Sequence, residues 1–216
     1  EAELTEARNL QTGTVYIAAS EVALRCLLLP VLKQYRLLYP GVRIRISNHS
    51  TPQAIAALKD GAADIAVVTT PTVHSASLAE TVIRPIQEVA VCSSAFPALT
   101  DRPVALSELL DYPIISLGPD TKSFAFYSDF FTGHSLPFHP AIEAFTADQI
   151  LPMVEADLGI GFVPNEFLTQ ESHVCRIDLK EQIPERQVVL IKRKGQPLSV
   201  AARKLEHMIL EEKSGT

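Results

Sequence analysis

The sequence predicts an α/β fold of two lobes joined by two crossing strands. Three observations predict it. From Thr14 to Val68 the elements read strand, helix, strand, helix, strand. Between Ser107 and Val163 a second set of short helices and strands alternates. A last strand, Gln187 to Ile191, and an amphipathic helix, Leu198 to Leu210, close the chain. Alternation of this kind builds parallel sheets covered by helices, with ligands taken at the carboxyl ends of the strands. Two such sets with no flexible linker between them, one interrupted by the other, fit two lobes joined by crossing strands. The crossings are expected near Val89 to Val91 and Val188 to Leu190, and a cleft between two such lobes is a natural small-molecule site.

The first strand, Thr14-Val15-Tyr16-Ile17-Ala18, runs through Ala19 to Ser20, which reads as a helix cap. Leu24, Leu28, Val31, Leu32 and Tyr35 follow at helical spacing. Pro30 lies among them and should kink the helix or begin a new segment. Val42, Ile44 and Ile46 alternate with Arg43 and Arg45, so one face of the second strand meets solvent or an edge. Thr51-Pro52 reads as an N-cap followed by proline at the first helical position, with the helix ending near Gly61. Ile65-Ala66-Val67-Val68 is apolar throughout and should be central. Residues 80–95 read as one extended stretch interrupted by Pro85.

In the second set, Ser107 to Leu110 is a short capped helix and Ile114 to Leu117 a strand. The loop Gly118-Pro119-Asp120-Thr121 follows that strand. Phe124 to Phe131 is an aromatic-rich helix ended by Gly133. Ile142 to Phe145 is a strand, Ala147 to Asp157 a helix, and Ile160 to Val163 a strand.

Composition excludes several function classes. The 216 residues are 47% hydrophobic and 20% charged, which permits a sizeable core. No apolar run approaches the ~18 residues that cross a bilayer, and residues 1–9 carry no apolar signal core. The net charge of −6 argues against nucleic-acid binding by this chain itself, since neutralising phosphates takes a basic face. Lys192-Arg193-Lys194 is the tight basic cluster, and it reads as a solvated strand end before the Gly195 turn. Cys26, Cys92 and Cys175 show no metal-type spacing and no resolving pair, and read as small hydrophobes.

No catalytic constellation is legible. His49, His74, His134, His139, His173 and His207 lack zinc-helix spacing, and neither a G-x-S-x-G elbow nor a P-loop occurs. Gly159-Ile160-Gly161 follows a helix and enters a strand, the reverse of a dinucleotide loop. No metal, cofactor or enzymatic activity is therefore expected. Ser20 serves as a plain cap or as a cap that also faces a ligand. Asn48, His49 and Ser50 form a polar strand-to-helix loop, where side chains are easily solvated and can also meet a ligand.

These segments together resemble the effector-binding domain of LysR-type transcriptional regulators. The resemblance rests on Gly13 to Ser20, Leu28-Leu29-Pro30-Val31-Leu32, Tyr39-Pro40-Gly41-Val42 and Ala54-Ile55. It continues through Leu58-Lys59-Asp60-Gly61, Ala63 to Val68, Leu109 to Ile115, and Leu158 to Pro164 within the segment Val154 to Pro164. Asp157 departs from the family, which usually has a small residue there, often Gly.

The resemblance implies two Rossmann-like lobes of the type 2 periplasmic-binding-protein kind. Residues 1–12 would be the end of a linker helix. Residues 13–89 with 190–216 would form one lobe, and 90–189 the other. It implies an effector in the interlobe cleft, contacted by Ser20, Asn48, His49, Ser50, Thr51, Gly118, Pro119, Asp120, Thr121, Phe145 and Thr146. The hydroxyls of Ser20 and Thr51 would donate, and Lys122 would help if its loop faces inward. Helix N-termini at the cleft favour an anionic group such as a carboxylate.

The implied protein is a cytoplasmic homodimer, or a tetramer at full length. It would touch DNA only through a winged helix-turn-helix that the sequence lacks, and would have no membrane partner. The helices starting at Ser20 and Thr51 would pair with the aromatic helix near Phe124 and Tyr127 of a second copy. The alternative is a monomeric, exported solute-binding protein of a transport system, which shares the fold.

Overall fold

The computed structural model describes residues 12–214. The expected helical tail over residues 1–12 lies outside them, Thr12 apart. The chain divides into two compact units: one runs up to Pro85 and resumes at Gln187, and the other is Ile86–Arg186.

The first unit holds a five-stranded sheet. Its strands are β1 (Thr14–Ala19), β2 (Arg43–Asn48), β3 (Ile65–Thr69), β4 (Leu78–Ile86) and β10 (Arg186–Arg193), in the order β2-β1-β3-β10-β4. β1 is parallel to β2 and β3, while β10 is antiparallel to β3. β2 is an edge, one of the two places its alternation allowed, and neither of its faces is buried: Ile44 is half-buried and Ile46 exposed. β3 is buried along its whole length, as a central strand covered on both faces must be. Pro85 does not break the stretch: it lies near the end of β4, the other edge strand, the kind of place where sheets accept proline. The break falls at Gln87 instead.

The first helix is built in three parts. A single turn, α1 (Glu21–Ala23), leads into a wider π segment at Leu24–Leu28 and then into α2 (Leu29–Leu38). Pro30 sits in the first turn of α2 and begins the new segment. Its missing N–H deprives the Cys26 carbonyl of its regular partner four residues on, and the Arg84 guanidinium donates to that carbonyl. On one face of the sheet, α3 (Thr51–Lys59) covers Ala18, Ala66, Val68, Val189 and Ile191 with Ala54, Ile55 and Leu58. On the other, the closing helix α6 (Val200–Glu211) packs against β1 and α2. Tyr35, fully buried, donates to the Ala201 carbonyl at 2.9 Å and ties α2 to α6. The basic cluster is not simply solvated. Lys192 pairs with Glu206, and Arg193 donates to the carbonyls of Leu58 and Ala63 beyond α3.

The second unit holds the sheet β7-β6-β8-β5-β9. These are β5 (Glu88–Cys92), β6 (Ile114–Leu117), β7 (Ile142–Ala144), β8 (Ile160–Pro164) and β9 (Cys175–Ile177). β6 is parallel to β7 and β8; β5 is antiparallel to β8 and β9. The sequence reading missed β9, which is three residues long and carries one buried side chain. The short helix before β6 is a 3-10 turn, Leu106–Asp111. The aromatic helix α4 (Lys122–Gly133) fills the core with Tyr127, Phe130 and Phe131 against Phe138 and Phe162.

Gly133 does not end α4 by taking a left-handed conformation. Ser135 does so, at φ 60°. Ser135 N–H donates to Thr132 O and Leu136 N–H to Phe131 O, the paired bonds that close a helix at a left-handed residue. The predicted helix from Ala147 is a 3-10 turn, Ala147–Gln149, followed by α5 (Ile150–Glu155). α5 closes in the same way, with Asp157 left-handed at φ 62° and Leu158 N–H donating to Met153 O. Gly161 is packing, as its place after a helix predicts: a Cβ there would meet Ile150 Cγ2 at 2.7 Å.

Candidate functional site

In the first unit the strand ends gather one group of predicted residues. Parallel pairing places Ala19 opposite Asn48. Ser20, next along, donates its N–H to Val67 O at 3.1 Å, and His49 N–H donates to Ala19 O at 2.9 Å. Ser20, Asn48, His49, Ser50 and Thr51 therefore share the carboxyl edge of the three parallel strands. The Ser20 hydroxyl accepts from Ala23 N–H at 3.2 Å, so Ser20 is the cap it was read to be. Asn48 is exposed and donates to Glu21 Oε2 at 3.4 Å. Ser20, His49 and Ser50 are half-buried.

The cap of α3 is Ser50, not Thr51. Gln53 Oε1 accepts from the Ser50 N–H at 3.0 Å. Thr51 instead occupies the first helical position, is buried, and donates its hydroxyl to Thr69 O at 3.1 Å. Its proton is thus committed inside the unit. Proline at the next position, Pro52, has no N–H to compete for, which is why the shift by one residue is tolerated.

In the second unit the ends of β6 and β7 lie side by side, Leu117 opposite Ala144. That pairing brings Gly118, Pro119, Asp120 and Thr121 alongside Phe145 and Thr146. Thr121 caps α4, accepting from Phe124 N–H at 3.1 Å, and its hydroxyl donates to Gly118 O at 2.8 Å. Gly118 is buried against Glu143: a Cβ there would lie 2.5 Å from Glu143 Oε1. Phe145 is 90% exposed. Its N–H and that of Thr146 both donate to Gln149 Oε1. Lys122 is the first residue of α4.

Sequence reasoning missed a polar network at this end of the second unit. Arg186 Nη1 donates to Glu88 Oε1 at 2.9 Å, and both side chains are buried. Tyr127 donates its hydroxyl to Glu88 Oε2 at 2.8 Å, and Arg186 Nη2 donates to Ser123 Oγ at 3.2 Å. The Arg186 guanidinium lies 5.1 Å from the Phe126 ring centre. Burial, and then the adjacent Glu88 carboxylate, push the Tyr127 phenol well above its ordinary range, so it stays a donor. Tyr127 is therefore core and not surface, which removes it from the expected subunit contact. Ser116 Oγ and Asn165 Oδ1 are buried and make no hydrogen bond among the described residues. Asn165 follows β8 directly, and neither residue had a motif to announce it.

A cavity of about 550 Å³ opens in the first unit between the loop at Val73–Ala76 and the side chains of Glu80, Ile191 and Lys194. None of the predicted site residues lines it. No group of three or more His, Cys, Asp or Glu among the described residues is placed to hold a metal ion. No helix among them is long and apolar enough to cross a membrane.

The family model for the LysR substrate binding domain matches residues 8–214. Among solved structures, the Synechocystis PCC6803 CcmR regulatory domain in complex with 2-PG is similar at a TM-score of 0.84 and 15% identity. That likeness covers 95% of this chain and 99% of that one. The effector binding domain of QuiR in complex with shikimate gives 0.82 at 14% identity, covering 94% and 98%. At these identities the structural likeness speaks for the fold. The HTH-type transcriptional regulator AlsR of Bacillus subtilis (strain 168) is 27% identical over 139 residues, covering 63% of this chain and 45% of AlsR. The chain spans about half the length of the curated relatives it matches.

Proposed function

This chain belongs to the LysR substrate binding domain family, and on that premise we propose that it senses a small anionic metabolite for a transcriptional regulator. The observation that carries the reading is the gathering of polar groups at the carboxyl edge of each sheet. On one unit these are Ser20 and the loop Asn48 to Thr51; on the other, Gly118 to Thr121 with Phe145 and Thr146. Both edges hold the first turn of a helix, where backbone N–H groups lack intrahelical partners and favour negative charge. Ser20 supplies a hydroxyl there, while the Thr121 hydroxyl is engaged by Gly118 O and Phe124 N–H. Thr51 contributes its position in the first turn and not a free hydroxyl proton. Exposed Phe145 offers an apolar surface beside the polar groups.

The proposed effector is a carboxylate taken at these carboxyl edges, and shikimate in QuiR has that chemistry. Binding would favour one conformation of the domain and shift its population. The shift would pass through a cytoplasmic homodimer, or a tetramer at full length, to a DNA-binding domain outside these residues.

A thermal-shift screen against small carboxylates, amino acids and aromatic acids tests this. Ligand at ~100 times its dissociation constant adds about 2.7 kcal/mol of stability. A saturable shift with a carboxylate, lost when the acid is replaced by its amide, supports an anionic effector. Equal shifts with acid and amide would refute the anionic reading.

A further inference from the structure

Cys92 and Cys175 are cross-strand neighbours. The antiparallel ladder of β5 and β9 pairs Ala90 with Ile177, Val91 with Arg176 and Cys92 with Cys175. Directly opposed residues of antiparallel strands project to one face, with Cα atoms about 4.5 or 5.5 Å apart according to their place in the hydrogen-bond pattern. Either separation lies within the roughly 4.4–6.8 Å that a disulfide spans. The face is the core side, since Ala90, Cys92 and Ile177 join one apolar cluster. Cys26 is buried in the other unit.

The two thiols differ in access. Cys175 is exposed and Cys92 is fully buried. Their distance in sequence hid the pair, and exposure removes Cys175 from the class of buried hydrophobes in which its sequence context placed it.

We propose that Cys92 and Cys175 form a reversible intramolecular disulfide, a two-cysteine oxidation site at the edge of the second unit's sheet. The oxidant is hydrogen peroxide from solvent. The Cys175 sulfur attacks a peroxide oxygen, the O–O bond breaks, and a sulfenic acid and one water form. The Cys92 sulfur then attacks the Cys175 sulfur, the S–O bond breaks, and the hydroxyl leaves with the Cys92 proton as a second water. Two thiols lose two electrons and one peroxide becomes two waters. Burial, and then the neighbouring Cys175, push the Cys92 thiol up to about 11, so the second step is the slow one and quickens as pH rises. The bond closes segment 93–174 into a loop and locks the three-residue strand β9 to β5. This site stands independently of the effector reading.

The test treats the reduced chain with a small molar excess of hydrogen peroxide, alkylates remaining thiols in denaturant, and maps peptides by mass without reductant. The expected product joins the Cys92 and Cys175 peptides, is two hydrogens lighter, and separates on adding dithiothreitol, with Cys26 alkylated. Cys26→Ser should leave its yield unchanged. In Cys92→Ala, Cys175 should run on to sulfinic acid. Cys175 reaching sulfinic acid in the unsubstituted chain while Cys92 stays alkylatable would overturn the proposal. So would Cys175 linking only to a second chain.

Discussion

Arg186 and Glu88 form a buried ion pair at 2.9 Å, from the first residue of β10 to the first residue of β5. These positions are the last residue of the second unit and one close to its start, so the pair joins the ends of that unit's chain. Tyr127 and Ser123 satisfy further atoms of the pair. Removing one charge alone strands the other in the core.

Glu88→Leu or Arg186→Met should therefore each cost about 3–5 kcal/mol, while the double replacement should be close to neutral or stabilising. Urea denaturation of the two single variants and the double variant measures this. Additive losses would mean that the pair contributes no coupling.

Tyr35→Phe removes the hydrogen bond to Ala201 O and should cost about 1–2 kcal/mol at neutral pH. Burial, and then Tyr39, push the Tyr35 phenol up to about 12 from an ordinary value of 10.0. A group held protonated by the fold stabilises it fully below its unfolded pKa and loses that contribution as pH climbs through the folded value. Stability should fall between pH 10 and about 12, and fall less in the Phe variant. Denaturation midpoints across that range provide the comparison.

Glu108 behaves in the opposite sense. Its hydrogen bond from Arg102, and then that from the Ala105 N–H, hold its carboxyl at about 2 against an ordinary 4.5. A depressed carboxylate contributes above its unfolded pKa and loses the contribution as pH falls. The Glu108→Gln variant should show a shallower acid loss between pH 4.5 and about 2. The pair is at the surface, so added salt should shrink the difference between the two proteins.

Asp157→Gly should stabilise the chain by about 1 kcal/mol, because a left-handed φ of 62° strains a residue with a Cβ. The urea midpoint should rise with an unchanged slope. Gly159→Ala should do the reverse and severely, since its Cβ would lie 2.3 Å from the Pro113 carbonyl oxygen.

Ser20→Ala should lose the cap bond to Ala23, costing about 1 kcal/mol. On the proposed reading it should also weaken effector binding. Calorimetry with the effector found by screening separates the two effects: a less stable chain with unchanged affinity would leave Ser20 a cap alone.

The sequence by itself determined the order of the elements other than β9, the capping of the first helix at Ser20 and the central place of β3. Each is a local signal, written in the spacing of apolar residues or in a side chain that serves its own backbone three residues on. The one-residue error at Ser50 and Thr51 came from such a signal too, since both residues cap well and Pro52 is tolerated in either register. Only the tertiary structure decided what lies across the sheets: β9, the opposition of Cys92 and Cys175, the Glu88–Arg186 pair, and Arg84 serving the carbonyl that Pro30 leaves. A hydrogen bond or a register between distant residues depends on where the chain returns in space. No periodicity within one segment encodes that return, because the partner is chosen by the packing of the whole core.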